Sequence, residues 1–151
     1  MPRNNRPTAQ IEAVRALARL ARLVERSTGD LSLAHYRVLS AVAEGNDRAS
    51  RMAQRLVLGK PTISAAVDAL CQRGYLTRES VAGDQRATRL RITPAGTKAL
   101  TAVEDSIVAR FGPVLERTAD PTQVVESLCQ LGAALDERAE ERLATGSVTR
   151  S

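Results

Sequence analysis

Apolar residues recur at spacings of three and four through most of the chain, which is the pattern of helices that bury one face. In the first such stretch, Ile11, Val14, Leu17 and Leu20 form that face. The same spacing predicts five further helices, so the chain is expected to be mainly helical. The six predicted helices cover residues 8–28, 35–44, 48–57, about 61–73, and two long stretches that follow Thr93 and Asp120.

The period changes to two between the fourth and fifth predicted helices. Tyr75–Ser80 has strand character, and residues 81–86 are turn formers. Beyond them Thr88, Leu90 and Ile92 alternate with charged side chains, as on a half-buried strand. This pattern predicts a β-hairpin directly after a helix.

The two short helices before the hairpin are joined by about four residues, which is the helix-turn-helix arrangement. Gly59 lies near the start of the second of these helices, and Pro61 lies in its first turn, where proline is tolerated. The fold class expected is therefore mainly α, with a small β part (α+β). We predict a winged helix-turn-helix over residues 31–92, with its recognition helix at about 61–73 and its wing at about 75–92.

Capping residues support several of these helix ends. The turn Gly45–Asp47 is expected to stop the second helix and to cap the third. Thr93 followed by Pro94 has the chemistry to open the fifth helix. Asp120 and Gln123 form a capping box for the sixth.

Positive charge is concentrated in the middle of the chain. The 151 residues have a net charge of +5. Residues 48–91 contain nine basic and three acidic residues, a net +6, which leaves −1 for the rest of the chain. A local excess of this kind is the electrostatic footprint of a polyanionic partner such as DNA.

The composition argues against most enzyme chemistry and against a membrane span. The single histidine, His35, cannot form a metal or catalytic cluster, and Cys71 and Cys129 form no CxxC pair. No GxGxxG loop occurs, so neither a cofactor nor a metal is expected. No stretch approaches the ~18 apolar residues of a membrane helix, and the first residues do not resemble a signal peptide. We therefore expect one cytoplasmic domain that is not an enzyme.

The start of the predicted recognition helix has the chemistry to meet DNA. A helix fits the major groove, its N-terminal end carries partial positive charge, and Thr62 and Ser64 are short donors for phosphates or base edges. Lys60 lies just ahead of them. Ala65 and Ala69 can contact a thymine methyl but cannot form a bidentate base contact, which leaves more of the specificity to the wing and to DNA shape. Alternatively, Thr62 and Ser64 merely cap and solvate the helix start.

Five charged residues of the predicted wing are further candidates for DNA contacts. Arg86 at the wing tip can enter a narrow minor groove, where Asp84 can orient its guanidinium group. Arg89 and Arg91 on the returning strand, and Arg78 on the first strand, are candidates for phosphate contacts. The alternative is that these side chains form ordinary exposed ion pairs on a solvated strand edge.

The ordered motifs of the chain resemble those of the multiple antibiotic resistance regulator (MarR) family, and the resemblance covers almost the whole length. The motifs are Leu31-Ser-Leu-x-x-Tyr-Arg-Val-Leu39, Met52-Ala-x-x-Leu56, Lys60-Pro-Thr-Ile-Ser-x-x-Val-Asp-x-Leu70, Arg73-Gly-Tyr-Leu-x-Arg78, Asp84-x-Arg86 and Leu90-x-Ile-Thr-x-x-Gly96. The resemblance implies an obligate homodimer that binds palindromic double-stranded DNA, usually as a transcriptional repressor. It also implies relief of repression by a small aromatic or phenolic ligand or by thiol oxidation.

The resemblance assigns residues 8–28 and 93–144 to a dimerisation region. The apolar stripes of the last two helices support this, because one lobe of this size has too little surface to cover them. The ligand cleft of the family lies near the start of the second helix, so His35 and Tyr36 are candidate pocket residues; a core Tyr36 and a surface His35 are the alternatives. The residues expected at the dimer interface are Ile11, Val14, Leu17, Ile107, Phe111, Val114, Leu128, Leu131 and Leu135.

Other interpretations remain open for several features. Cys71 is expected to be a small buried apolar residue, and neither it nor Cys129 occupies the first-helix position of the family's reactive cysteine, so redox sensing is not expected. An arginine stripe on the first helix is expected to be a solvated face. A winged helix that binds a protein without reading DNA is the main alternative function, and a winged-helix transferase is a third. The arginines of the stripe are Arg15, Arg19, Arg22 and Arg26.

Overall fold

The computed structural model describes residues 8–81 and 84–148, without the side chains of residues 81, 84–87 and 146–148. In this part of the chain, six helices and one two-stranded sheet follow one another. The elements are α1 (Thr8–Ser27), α2 (Leu33–Ala43), α3 (Ala49–Arg55), α4 (Lys60–Gln72), β1 (Leu76–Val81), β2 (Asp84–Ile92), α5 (Pro94–Leu115) and α6 (Pro121–Val148). The fold class predicted from the sequence, mainly helical with a small antiparallel hairpin, is confirmed.

The apolar faces of α2, α3 and α4 meet in the main hydrophobic core, and the base of the hairpin closes it. In α4 the buried positions follow the predicted helical spacing, and Cys71 is only partly buried against the same core. Burial of such side chains stabilises a fold by about 1.5–3 kcal/mol each. The largest side chains that are fully buried are Val38, Leu39, Met52, Ile63, Leu70 and Leu76.

The helix ends agree only in part with the capping predictions. Ser32 caps α2 by accepting a hydrogen bond from the backbone N–H of His35, so α2 begins two residues earlier than expected. Gly45 follows the end of α2 and adopts the left-handed conformation, with φ of 94°. The prediction that the Gly45–Asp47 turn caps α3 is wrong, because the N-cap is Arg48, without a side-chain hydrogen bond. Asn46 instead donates to the carbonyl of Ala41 at 3.1 Å.

The wing is an antiparallel pair in which Leu76 lies opposite Ile92 and Ser80 opposite Thr88. The hairpin spans the predicted residues, but its second strand is longer than predicted, since β2 begins at Asp84 instead of near Thr88. The backbone N–H of Leu90 donates to the carbonyl of Asp47 at 2.8 Å. This hydrogen bond joins the wing to the connection between α2 and α3.

The start of α5 is docked tightly against the junction of α4 and β1. Thr93 caps α5, as predicted, and accepts from the N–H of Gly96 while its hydroxyl donates to the carbonyl of Gly74. A Cβ atom at Gly96 would lie 2.2 Å from the carbonyl oxygen of Tyr75 and 2.9 Å from Ile92. The motif Thr-x-x-Gly therefore has a packing reason, because only glycine allows this approach.

The long helices α1, α5 and α6, which we call the arms, bury few apolar residues. Leu100 and Val103 of α5 belong to the core, and Ala139 is the buried residue of α6. Asp120 caps α6 by accepting from the N–H of Gln123 at 2.9 Å, as predicted, but the Gln123 side chain contacts Ser127 instead of closing the capping box. Within the described residues, no helix is long and apolar enough to cross a membrane.

Candidate nucleic-acid interface

The N-terminal half of α4 presents several polar side chains to solvent. Lys60, Thr62, Ser64 and Ala65 are exposed, whereas Ile63 is fully buried. The N-cap is Gly59, which has no side chain to occupy the free N–H groups of the first turn. At a rise of ~1.5 Å per residue, α4 is about 20 Å long, which suits the major groove. Hydroxyls, a cation and the positive end of a helix are thus available together.

The turn before α4 contains an exposed valine in a strained conformation. Val57 has φ of 52°, in the left-handed region, and its side chain is 74% exposed. A β-branched residue is rarely found there, and the conformation costs about 1–2 kcal/mol. Gly59, which the sequence pattern suggested for the turn, has an ordinary φ of −61°. Propensity alone gives no signal for this placement.

The three arginines of the wing whose side chains are described each pair with a carboxylate. Arg78 on β1 reaches Asp68 of α4 at 2.5 Å, and Arg91 of β2 reaches Glu79 of β1 across the strands at 2.5 Å. The hydrogen bonds that the guanidinium groups donate to these carboxylates raise the pKa values of Arg78 and Arg91.

Arg89 extends from β2 to Asp47 at 3.3 Å. The carboxylate is in the connection between α2 and α3, where the backbone of Leu90 is also bound. All three wing arginines therefore hold elements of the winged helix together, as the ion-pair alternative expected. They remain about half exposed, so their guanidinium groups are still accessible to a phosphate.

Other cations of the basic segment are exposed and unpaired. Among the described residues, no carboxylate lies within ion-pair distance of Arg48, Arg51 or Lys60. Arg48 and Arg51 lie at the start of α3, and Lys60 lies at the start of α4. Free cations at both helices of a helix-turn-helix suit contacts to the phosphate backbone.

The predicted wing-tip pair, Asp84 and Arg86, begins β2 instead of lying in a turn. Their side chains lie outside the described residues. The role of Arg86 in the minor groove stays a prediction.

Arg55 joins the winged helix to the arms, a role that no sequence motif predicts beyond its place in the basic segment. Its guanidinium forms two hydrogen bonds with Asp136 of α6, at 3.0 and 2.8 Å. It also donates to Asn46 at 3.0 Å and lies 3.4 Å from Glu44. The Arg55–Asp136 contact spans 81 residues of sequence, which is why no local pattern predicts it.

His35 and Tyr36, the candidate ligand residues, face different surroundings. Tyr36 lines a hollow of about 290 Å³ between α2, α3 and α6. Burial raises the pKa of Tyr36, with smaller contributions from Glu104 and Glu44. Burial and the charge of Arg73 lower the pKa of His35, whose buried Nδ1 has no hydrogen-bond partner within the described part of the chain.

A second hollow, of about 270 Å³, lies where the end of α1, the end of α4 and α5 meet. Arg73 lies over the ring of Tyr75, 5.0 Å from its centroid, and donates to the carbonyl of Asp30 at 3.1 Å. Ser27 and Thr28, also in the lining, are buried with their hydroxyls bound to carbonyls of α1. This hollow lies between the arms and the winged helix but does not include His35.

The residues expected at a dimer interface lie on the arms and are poorly covered in one chain. Val14 is 65% exposed and Leu135 is 68% exposed, and Leu17, Val114 and Leu131 are also exposed. The other four members are half-buried. They are Ile11, Ile107, Phe111 and Leu128.

Comparisons with known proteins agree with this architecture. A family model described as MarR family matches residues 29–87. No curated protein matches the sequence. Solved structures match over most of the chain, with TM-scores such as 0.72 and 0.59.

Three of these structures illustrate the match. A MarR-family transcriptional regulator from Rhodococcus sp. RHA1 is 21% identical at a TM-score of 0.72, covering 87% of this chain and 96% of its own. CouR from Rhodococcus jostii RHA1, solved with bound p-coumaroyl-CoA, is 21% identical at a TM-score of 0.69, and the match covers 85% of this chain and 92% of CouR. A mutant MarR from E. coli is 16% identical at a TM-score of 0.68, and the match covers 85% of this chain and 97% of the mutant MarR.

The family model falls on the helix-turn-helix and wing, and the structural matches extend over the arms. The resemblance seen in the sequence motifs is therefore confirmed. Residues 29–87 match the model of the MarR family, and the chain has the fold of the MarR-family transcription regulators.

Proposed function

We propose that this protein is a cytoplasmic, dimeric transcriptional regulator that binds a palindromic operator through α4 and the wing. The observation that supports it most is the exposed start of α4, where Lys60, Thr62 and Ser64 are all accessible to solvent in a helix that packs against β1. Their hydroxyl and ammonium groups suit phosphates and base edges.

A dimer supplies the two half-sites. The exposed apolar residues of the arms favour a second copy as their cover, because apolar patches on a stable monomer are normally small. Two recognition helices related by a twofold axis read half-sites about one helical turn apart, roughly 34–36 Å. Binding over a promoter then acts as repression.

The proposal includes relief by a small aromatic or phenolic ligand. CouR, a structural neighbour, was solved with p-coumaroyl-CoA. Two hollows of this chain lie between arms and winged helix, one beside Tyr36 and one beside Arg73 and Tyr75. A ligand in either place can change the angle between the recognition helices of a dimer.

The experiment begins with selection of bound fragments from genomic DNA, followed by titration of the selected duplex over a range of salt concentrations. Replacing Thr62 and Ser64 together with alanine is expected to weaken operator binding about tenfold or more. The matched control is Gln72→Ala, an exposed polar residue at the far end of α4, which should change affinity less than twofold. Equal effects of the two changes contradict the assignment of the α4 face.

The wing is tested by the same titration. Arg86→Ala is expected to weaken operator binding by about 1–3 kcal/mol. Arg89→Ala is expected to lower the affinity for all sequences and to reduce the slope of the logarithm of the binding constant against the logarithm of salt concentration by about one. If the protein binds genomic fragments weakly, with no sequence preference and with an affinity that does not depend on salt concentration, it is the protein-interaction module instead.

A further inference from the structure

Four arginine side chains from two helices line one hollow on the arms. Arg19, Arg22 and Arg26 lie along α1, and Arg110 reaches the same hollow from α5. The hollow has a volume of about 520 Å³, and Leu23 also lines it. The sequence pattern predicted these α1 arginines to be a solvated stripe. Packing of α1 against α5 adds a fourth guanidinium group that helical spacing does not reveal.

The charge of this hollow is largely uncompensated. Arg22 pairs with Glu25 at 2.9 Å, and both side chains are exposed. Across the described residues, no carboxylate lies within ion-pair distance of Arg19, Arg26 or Arg110. The cluster therefore has a net charge of about +3, in contrast to the paired arginines of the wing. Like charges around one concavity repel, so a bound anion lowers the free energy of the arrangement.

The geometry and chemistry indicate the class of ligand. Guanidinium groups form bidentate hydrogen bonds with phosphates and carboxylates. The methylene stems of the arginines and Leu23 provide apolar walls, and the volume lies within the ~300–1,000 Å³ range of small-molecule sites. We propose that the hollow between α1 and α5, lined by Arg19, Arg22, Arg26 and Arg110, binds a small organic polyanion that carries two or more phosphate groups.

A second copy of the chain is the rival occupant. Glu137, Glu140 and Glu141 near the end of α6 are exposed acids that an intermolecular contact can bring to the arginines. The phosphate ligand is favoured because four arginine side chains from two helices line a single concavity, which suits a compact multivalent anion better than a row of separate carboxylates. The site also lies on the arms, so it is independent of the proposed DNA surface on α4 and the wing.

Calorimetric titration of the full chain with inorganic pyrophosphate and with orthophosphate at low ionic strength tests the proposal. We expect saturable binding of one pyrophosphate per chain, and tighter binding of pyrophosphate than of orthophosphate. The double variant Arg22→Gln with Arg110→Gln should weaken pyrophosphate binding at least tenfold. The matched control is Arg15→Gln with Lys98→Gln, which removes the same charge from the same helices outside the hollow and should change affinity less than threefold.

Two results would overturn the proposal. One is equal weakening by the control pair, which indicates diffuse attraction. The other is no saturable binding of pyrophosphate by the wild type; if the Arg22 and Arg110 variant also loses the dimer in sedimentation, the arginines contact a second copy. Far-ultraviolet circular dichroism checks folding of each variant, and Arg110→Gln alone replaces the double variant if the latter does not fold.

Discussion

The winged helix and the arms differ in how completely one copy of the chain buries its apolar residues. The large side chains that are fully buried all lie in α2, α3, α4 and β1. By contrast, α6 buries only Ala139 among its described side chains, while Leu131 and Leu135 stay exposed. The first region is stabilised by its own core. The second is helical but leaves much of its apolar surface uncovered in one chain, which is the reason for proposing a second copy.

The same substitution in the two regions should have different consequences. Leu70→Ala removes a fully buried side chain of α4 and should lower the free energy of unfolding by about 2–5 kcal/mol. Leu135→Ala should cost little within one chain but should weaken the dimer, so its effect on the denaturation midpoint should change with protein concentration and vanish where both proteins are monomers. Urea unfolding at two protein concentrations measures both effects. Equal losses, both independent of concentration, would remove the distinction between the regions.

The junction between the regions contains a glycine that packing requires. Gly96→Ala places a methyl group against the carbonyl of Tyr75 and the side chain of Ile92, and should destabilise the fold by about 1–3 kcal/mol. Gly112→Ala is the matched control within α5, because a Cβ atom there meets nothing within 4 Å. The midpoint temperature of thermal unfolding should be lower than that of the wild type for Gly96→Ala only. Comparable midpoints for the two variants would contradict the close approach.

The polar contact between α3 and α6 should contribute less. Asp136→Asn keeps the shape of the side chain and removes its charge, so the bidentate pair with Arg55 is lost. Because both side chains are partly exposed, we expect a loss of about 1 kcal/mol or less in unfolding free energy. Glu137→Gln, on the same helix and exposed, serves as the control. A larger loss in the control than in Asp136→Asn would exclude a stabilising role for the pair.

The smallest effect is expected from pH. Burial and Arg73 lower the pKa of His35 in the folded chain, so the unfolded chain binds the proton more readily. Stability should therefore fall as the pH decreases below the ordinary value of 6.5 and should level off below the folded-state pKa. Urea unfolding at pH 7.5 and 5.5 should give a smaller decrease for His35→Gln than for the wild type. Identical decreases would mean that His35 does not titrate differently in the two states.

The sequence predicted local structure well and long-range contacts poorly. Thr93 and Asp120 cap their helices because the hydrogen bonds involved are local in sequence. The prediction of a cap for α3 was wrong, because Asn46 and Asp47 instead bind the guanidinium groups of Arg55 and Arg89, which are more distant in sequence. Tertiary contacts compete for the same polar side chains, and their partners are not visible in a local pattern.

Charge counting had the same limit in the candidate interface. A net +6 on residues 48–91 predicted a local basic footprint but did not indicate which of its cations are paired with carboxylates. The structure divides it between paired wing arginines and free cations such as Lys60, and it pairs Arg55 with α6. The left-handed Val57 was also unforeseen, because β-branched residues are disfavoured in that conformation. A residue in a conformation that its own type disfavours, such as Val57, is held there by contacts of the surrounding fold, which a local sequence pattern does not show.

The most direct measurement of the central claim is the mass of the complex between the purified chain and its selected operator duplex, determined by light scattering coupled to size exclusion. The account predicts two chains of 16.2 kDa per duplex, and a dimer in the absence of DNA at micromolar concentration. A 16.2 kDa monomer that binds one chain per duplex, or no complex at all, would contradict a regulator in which the arms join two winged helices.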